Sequence, residues 1–338
     1  EVSTLSKIDV QGADAAEYLE RIYANSWKTL PVGKARYGVM LREDGMVLDD
    51  GTTSRLAADR YIVTTTTANA ARVLQHMELC AQWLWPQLDV QLVSVTDAWA
   101  QFAIAGPQSR HVLRKVVDPQ HDIANGALPY MAACELTVMG GLPARLFRIS
   151  FSGELAFEIA VPAGYGEVLW RQLMEAGREF GIAAYGTEAL SIMRIEKGHV
   201  AGNEINGQTT AGDLGLGKML STNKDFIGRV MAQRPGLKAA ARPRLVGLKP
   251  VNRQDRLRAG AHFIREGAQP AACTDEGFMT SVAFSPTLDH WIGLGLIAHG
   301  PDRHGERVRA CDPVRGGDVA VEICHPIFLD PAGERLRG

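Results

Sequence analysis

Polar and apolar residues alternate along most of this chain in short runs, interrupted by helical stretches that follow no regular beat. Residues 7–10 read as a strand, and Gly12-Ala13-Asp14 opens a helix to about Tyr23, with Asp14 as its N-cap. Residues 36–41 and 46–50 flank Arg42-Glu43-Asp44-Gly45, a hairpin whose Asp-Gly pair supplies the positive φ of a tight turn. Residues 61–67 are β-branched and lead into a helix from Ala68-Asn69-Ala70 to about Cys80. Further strands are expected at 90–94, 99–105, 144–150 and 155–161, with helices after Gly106-Pro107, at 166–180 and at 187–197. The pattern is α+β, with mixed or antiparallel sheets rather than the strict β-α alternation of a doubly wound sheet.

From 233 to 243 the text becomes a Pro-, Gly- and Ala-rich linker, and a domain boundary is expected there. Short strands follow at 245–250, 261–265, 279–284, 292–298, 307–310 and 319–324, the signature of a small barrel. The expected domains are therefore 1–234, split into two subdomains near 135–145, and 243–338.

Composition changes this picture little. With 338 residues, 46% hydrophobic and 22% charged, the chain can bury two or three cores. Its net charge of -2 argues against nucleic acid or an anionic membrane as partner. No apolar run is long enough to span a membrane and no leader opens the chain, so a cytoplasmic location is expected. The five cysteines lie scattered, without zinc-site spacing, and read as reduced thiols with no metal expected.

Two carboxylates stand out. Asp49-Asp50 ends the hairpin, where alternation sends the pair to opposite faces. Asp50 is expected to share a face with Leu48 and Met46, partly desolvated and more basic than a free carboxylate. Taken alone, an Asp after a hairpin is more often a turn or capping residue. Glu158 alternates between Ala156 and Ala160 while Phe157, Ile159 and Val161 form the apolar face, which leaves room for a flat ligand beside the carboxylate. A solvent-facing strand Glu fits the same pattern. His199 is a weaker candidate, Thr64 to Thr67 reads as strand, and Gly212 to Gly217 lacks the strand-to-helix context of a dinucleotide loop.

Read together, Asp9-Val-Gln-Gly12, Gly33-Lys-Ala-Arg-Tyr-Gly-Val-Met-Leu41, Asp49-Asp50, Gly106-Pro107, Ser152-Gly-Glu154 with Phe157-Glu158, Arg194-Ile-Glu196 and Lys224-Asp-Phe-Ile-Gly228 resemble the aminomethyltransferase (T-protein) family of the glycine cleavage system. Tyr185-Gly-Thr-Glu-Ala189, Gly207-Gln-Thr-Thr210 and Gly277-Phe-Met-Thr-Ser-Val-Ala-Phe-Ser-Pro286 are similar to the carboxy-terminal half of the α subunit of heterotetrameric sarcosine oxidase. The resemblance implies the T-protein folate-binding fold with a C-terminal barrel, and tetrahydrofolate as cofactor in a central channel. It further implies capture of the carbon from sarcosine oxidation as 5,10-methylenetetrahydrofolate. On this resemblance Asp50 is the catalytic residue, and Glu158, Phe151, Thr66 and Arg194 contact the folate, with Glu158 anchoring the pterin. Phe151 stands where several relatives carry tyrosine, and Leu190 where T-proteins carry an arginine. Implied partners are a flavin-carrying subunit and smaller subunits, so oxidation would occur elsewhere, with any NAD-binding half upstream. Two alternatives remain open: a free-standing aminomethyltransferase acting on a lipoyl carrier, and a non-catalytic folate-binding or assembly fragment.

Overall fold

Alternation sends Ile8 and Val10 to one face of β1 (Ser6–Gln11), and α1 (Ala15–Ile22) covers that face with Tyr18, Leu19 and Ile22. Asp14 stands at the N-cap position, yet its side chain accepts from the Asp89 N–H at 2.9 Å and so ties the helix start to the next strand region. The predicted hairpin forms from β2 (Lys34–Leu41) and β3 (Val47–Ala57), with Gly45 at φ +86° in the turn. β4 (Arg60–Thr65) and β5 (Gln91–Ser94) complete an antiparallel sheet in the order β2-β3-β4-β1-β5, and α2 (Ala70–Leu79) joins α1 on its core face. This computed structural model describes residues 1–338.

A second sheet holds β6 (Trp99–Ala105), β7 (Ala133–Val138), β8 (Leu142–Phe147) and β9 (Ala156–Pro162) in the order β6-β9-β8-β7. Phe157, Ile159 and Val161 are fully buried in its core, which is roofed by α3 (Ser109–Arg114) and α4 (Gly166–Gly177). β7 corrects the expected division near 135–145. Those residues form the β7-β8 hairpin inside one sheet, and the two sheets part between β5 and β6.

The sheets meet along an edge where Ala35 and Ala133 hydrogen-bond across to Met131 and Gly33 at 2.8 and 2.9 Å. Polar side chains reinforce the join. Asp9 on β1 accepts from Arg60 Nη2 at 2.8 Å and faces Arg145 of β8 at 3.7 Å, while Glu135 of β7 takes the other side of Arg145 at 3.3 Å.

After α5 (Thr187–Glu196) the chain runs through loops and short helical turns into six strands: β10 (Pro243–Pro250), β11 (His262–Arg265), β12 (Asp275–Ser285), β13 (His290–Ala298), β14 (Arg307–Cys311) and β15 (Asp318–Cys324). They close into a barrel ordered β10-β13-β12-β11-β14-β15, filled by Val246, Leu248, Phe263, Ile297 and Val321. The last residues leave the barrel and return to the other units: the Phe328 and Leu329 N–H groups donate to the Glu196 carbonyl, and Asp330 pairs with Lys197 at 3.0 Å.

Candidate functional site

Asp50 sits in the middle of the first hairpin, opposite Val39, and Asp49 sits opposite Met40. The register slips between these pairs and the next, Leu41 with Val47, so Leu48 is the extra residue of a bulge. That bulge changes the face expected for Asp50. Unbroken alternation would align it with Leu48 and Met46, whereas Asp50 shares the face of Val39 and Val47, which looks toward α5 and the barrel. Leu48 and Met40 face α1 and α2. Gly51 follows, and a Cβ there would come within 2.0 Å of the Thr64 carbonyl, so only glycine lets β4 lie this close beside Asp50.

The two neighbouring carboxylates are thus treated differently. Asp49 is 2% exposed and fully engaged, accepting from Thr66 Oγ1 at 2.6 Å, the Thr66 N–H at 3.2 Å and Asn69 Nδ2 at 2.9 Å. Asp50 keeps one oxygen open and accepts only from the Tyr37 hydroxyl, at 2.7 Å on Oδ2. Burial raises the Asp50 carboxyl to about 6, the Tyr37 hydrogen bond opposes the rise, and the charge of Asp49 adds to it. Tyr37 is itself pushed up by burial and by Asp50, so its phenol stays protonated and serves as donor.

Glu158 is on β9 between Ala103 of β6 and Phe147 of β8, on the face away from the core of that sheet. Small flanking residues, Ala156 and Ala160, leave it recessed and partly open. Gln101 Nε2 of β6 donates to Glu158 Oε2. Burial raises its carboxyl, and the Gln101 hydrogen bond and the Lys7 ammonium oppose that. The phenol of Tyr185, on the loop before α5, is raised by burial and then by the charge of Glu158, which puts Tyr185 near the same recess.

The N-terminal segment links the walls that carry the two carboxylates. Thr67, next to Thr66, donates to Thr4 Oγ1 at 3.3 Å, and the Gln101 N–H donates to Ser3 Oγ at 2.9 Å. Phe151 lies 42% exposed on the loop before β9, stacked on His199 with centroids 5.7 Å apart, and its carbonyl takes His199 Nδ1 at 3.0 Å. Burial lowers the His199 pKa, so the ring is neutral and its Nδ1 carries the proton of that bond.

Two further named residues spend side-chain donors on protein partners. Thr66 spends its hydroxyl on Asp49. Arg194 is 5% exposed at the end of α5, where Nη1 reaches Glu204 at 3.0 Å and the His199 carbonyl at 3.2 Å, and Nη2 donates to Ser281 Oγ of β12 at 2.7 Å. Tyr37, Gln101 and Lys7 escape a reading of the sequence. Tyr37 could have been found, because it lies two residues from the Val39 that faces Asp50. Gln101 and Lys7 carry no local signal, since each acts on a residue far along the chain.

Comparison with known proteins agrees with this architecture. Residues 1–224 match the GCVT N-terminal domain and residues 244–330 the glycine cleavage T-protein C-terminal barrel domain. The chain belongs to the aminomethyltransferase (T-protein) family, a folate-dependent group. It is 54% identical to the sarcosine oxidase α subunit of Rhizobium meliloti over 99% of its own length, and 43% identical to that of a Corynebacterium strain over 100%. It spans only 34% and 35% of those relatives, matching their T-protein-like part. An aminomethyltransferase of Streptomyces coelicolor is 32% identical over 96% of this chain and 84% of its own. The solved aminomethyltransferase of Bartonella henselae superposes with a TM-score of 0.83 at 26% identity, over 98% of this chain and 85% of that one.

Proposed function

We propose that this chain binds tetrahydrofolate and joins to it the one-carbon unit released by oxidation of an N-methyl amine such as sarcosine. The observation that carries this reading is the pair of recessed, part-open carboxylates with raised pKa values on the two edge-joined sheets, each held by one neutral donor. A structural ion pair would have neutralised them; here each retains acceptor capacity for a ligand.

Tetrahydrofolate, when bound, supplies an amine pair that takes up a formaldehyde-level carbon with loss of water. Glu158 would accept from the amino group and adjacent ring N–H of the pterin, a two-donor edge matched to a carboxylate. Phe151, 42% exposed and stacked on His199, offers its free face for stacking. Asp50, held by Tyr37 and poised at about 6, is ionised at neutral pH and takes the proton that the folate amine loses on attack. Confinement of the carbon beside that amine supplies the effective concentration. Thr66 and Arg194 commit side-chain donors to Asp49, Glu204 and Ser281, so in this reading they brace the walls of the site.

The 54% identity to a sarcosine oxidase α subunit favours delivery of the carbon from a flavin-bearing partner subunit over collection from a lipoyl carrier. Leu190, where T-proteins carry an arginine, points the same way. Calorimetric titration with a folate tests the reading directly. Glu158→Ala should weaken binding about 10- to 100-fold, the range of a charge-assisted hydrogen-bond pair. Equal affinities would remove Glu158 from the site.

A further inference from the structure

The first strand buries a lysine, and the proposed reaction gives it no work. Along β1, Ile8 and Val10 enter the core beneath α1, while Lys7 and Asp9 lie on the opposite face, toward the second sheet. Asp9 meets Arg60 and Arg145 there. Lys7 is 2% exposed, and its ammonium donates to the Ser3 and Leu5 carbonyls at 2.9 and 2.8 Å. An ammonium has three protons, so one remains without a protein acceptor.

Beside it the Gln101 side chain, 1% exposed, is held in register by its own backbone: the Val2 N–H donates to the Gln101 carbonyl at 2.8 Å and the Gln101 N–H to Ser3 Oγ at 2.9 Å. Its amide reaches Glu158 Oε2. The segment 2–7 and strand β6 together therefore form the back wall of the Glu158 recess. The charge that acts on Glu158 is that of Lys7, while Glu158 in turn raises the neutral Tyr185 phenol on the loop before α5; the charges acting on Lys7 are those of Glu158, Glu1 and Asp97. Lys7 and Glu158 make no direct ion pair, and burial of Lys7 is opposed first by its attraction to Glu158.

We propose that Gln101 and Lys7 are positioning residues of the Glu158 anchor, Gln101 fixing the plane of the carboxylate and Lys7 its negative charge, so that the recess selects flat ligands presenting two adjacent N–H donors. The proposal rests on the folate-anchor reading and deepens it. Gln101 uses one lone pair of Oε2 and leaves the other, with both lone pairs of Oε1, for a ligand. A carboxylate in such a recess without a nearby cation would take up a proton, and the neutral acid would turn an O–H toward a ligand that brings only donors.

The test is calorimetric binding of 5-formyltetrahydrofolate to the full chain from about pH 5 to pH 8, with melting curves for every variant. Lys7→Gln keeps a donor for the two carbonyls and removes the charge. It should move the pH at which binding is half lost upward by about one unit, equal to about tenfold weaker binding on the acid side. Lys7→Arg should retain the wild-type profile, and Gln101→Leu should weaken binding about tenfold at every pH. A wild-type pH profile in Lys7→Gln, or wild-type affinity in Gln101→Leu, overturns the proposal.

Lys7→Met and Gln101→Met replace any variant that fails to fold. If no neutral Lys7 variant folds while Lys7→Arg binds normally, the charge serves the fold and the proposal fails. Glu158→Gln in the same series separates the two claims. Unchanged binding there defeats the folate-anchor reading itself, whereas lost binding there with wild-type behaviour at Lys7 and Gln101 defeats only the positioning roles.

Discussion

Asp50 combines the properties of a base with a cost to the fold. Its pKa is raised from 3.8 to about 6, so the native chain holds this proton more tightly than the unfolded chain does. The stability linked to the group is fully present below about 3.8 and is lost as pH rises through about 6. At neutral pH the ionised carboxylate therefore opposes folding. Asp50→Asn should raise the unfolding free energy at pH 7 by about 2 kcal/mol, an advantage that disappears in acid, as urea melts at both pH values would show. The same variant should slow methylene transfer at least about 100-fold, and wild-type turnover should climb through about pH 6. A flat pH profile would deny Asp50 its proton. The family register singles out Asp50 in the sequence, and its partial desolvation was readable from the apolar run around it. Its orientation was not readable, because the bulge at Leu48 arises from pairing with β2 and leaves no trace in alternation.

Sheets carry the two halves of the site, so their join decides whether the site exists. Asp9 and Arg145 are nearly buried, with side chains 6% and 4% exposed, and each belongs to a different sheet. Asp9→Ala removes the carboxylate shared by Arg60 and Arg145 and leaves a buried guanidinium to the half-exposed Glu135. The expected loss is about 3 kcal/mol, read from urea denaturation, because an uncompensated buried charge costs more than the pair contributes. An effect below about 0.5 kcal/mol would mean that the join rests on backbone and apolar contacts alone. β7 shows what pattern reading can pass over at this scale. Leu136 and Val138 alternate with Glu135 and Thr137 before the Gly140-Gly141 turn, a strand signal that is present locally but short. The six barrel strands were readable because short β-branched and apolar runs are separated by turn residues.

Across the whole molecule, the barrel is held to the two sheets that precede it by a buried polar cluster. Glu204 is fully buried and accepts from Arg194 of α5, from the Ala201 N–H at 2.9 Å, and from the Thr280 and Ser281 hydroxyls of β12. Arg194 returns a bond to Ser281, so α5, the loop after it and the barrel share one network. The returning C-terminal residues add the Lys197 to Asp330 pair on the other side of α5. Arg194→Leu strands a fully buried carboxylate and should cost about 3 to 5 kcal/mol. Since the cluster spans two units, the loss should fall on their docking before it falls on either core. Calorimetry should then resolve two transitions where the wild type shows one, and trypsin should cut faster within the exposed stretch at 234–242. Arg194→Leu combined with Glu204→Leu should recover part of the loss, because the stranded charge is then gone. A single transition at lower temperature, with unchanged cleavage of that stretch, would show instead that barrel and sheets unfold as one unit and that the network serves the core around α5.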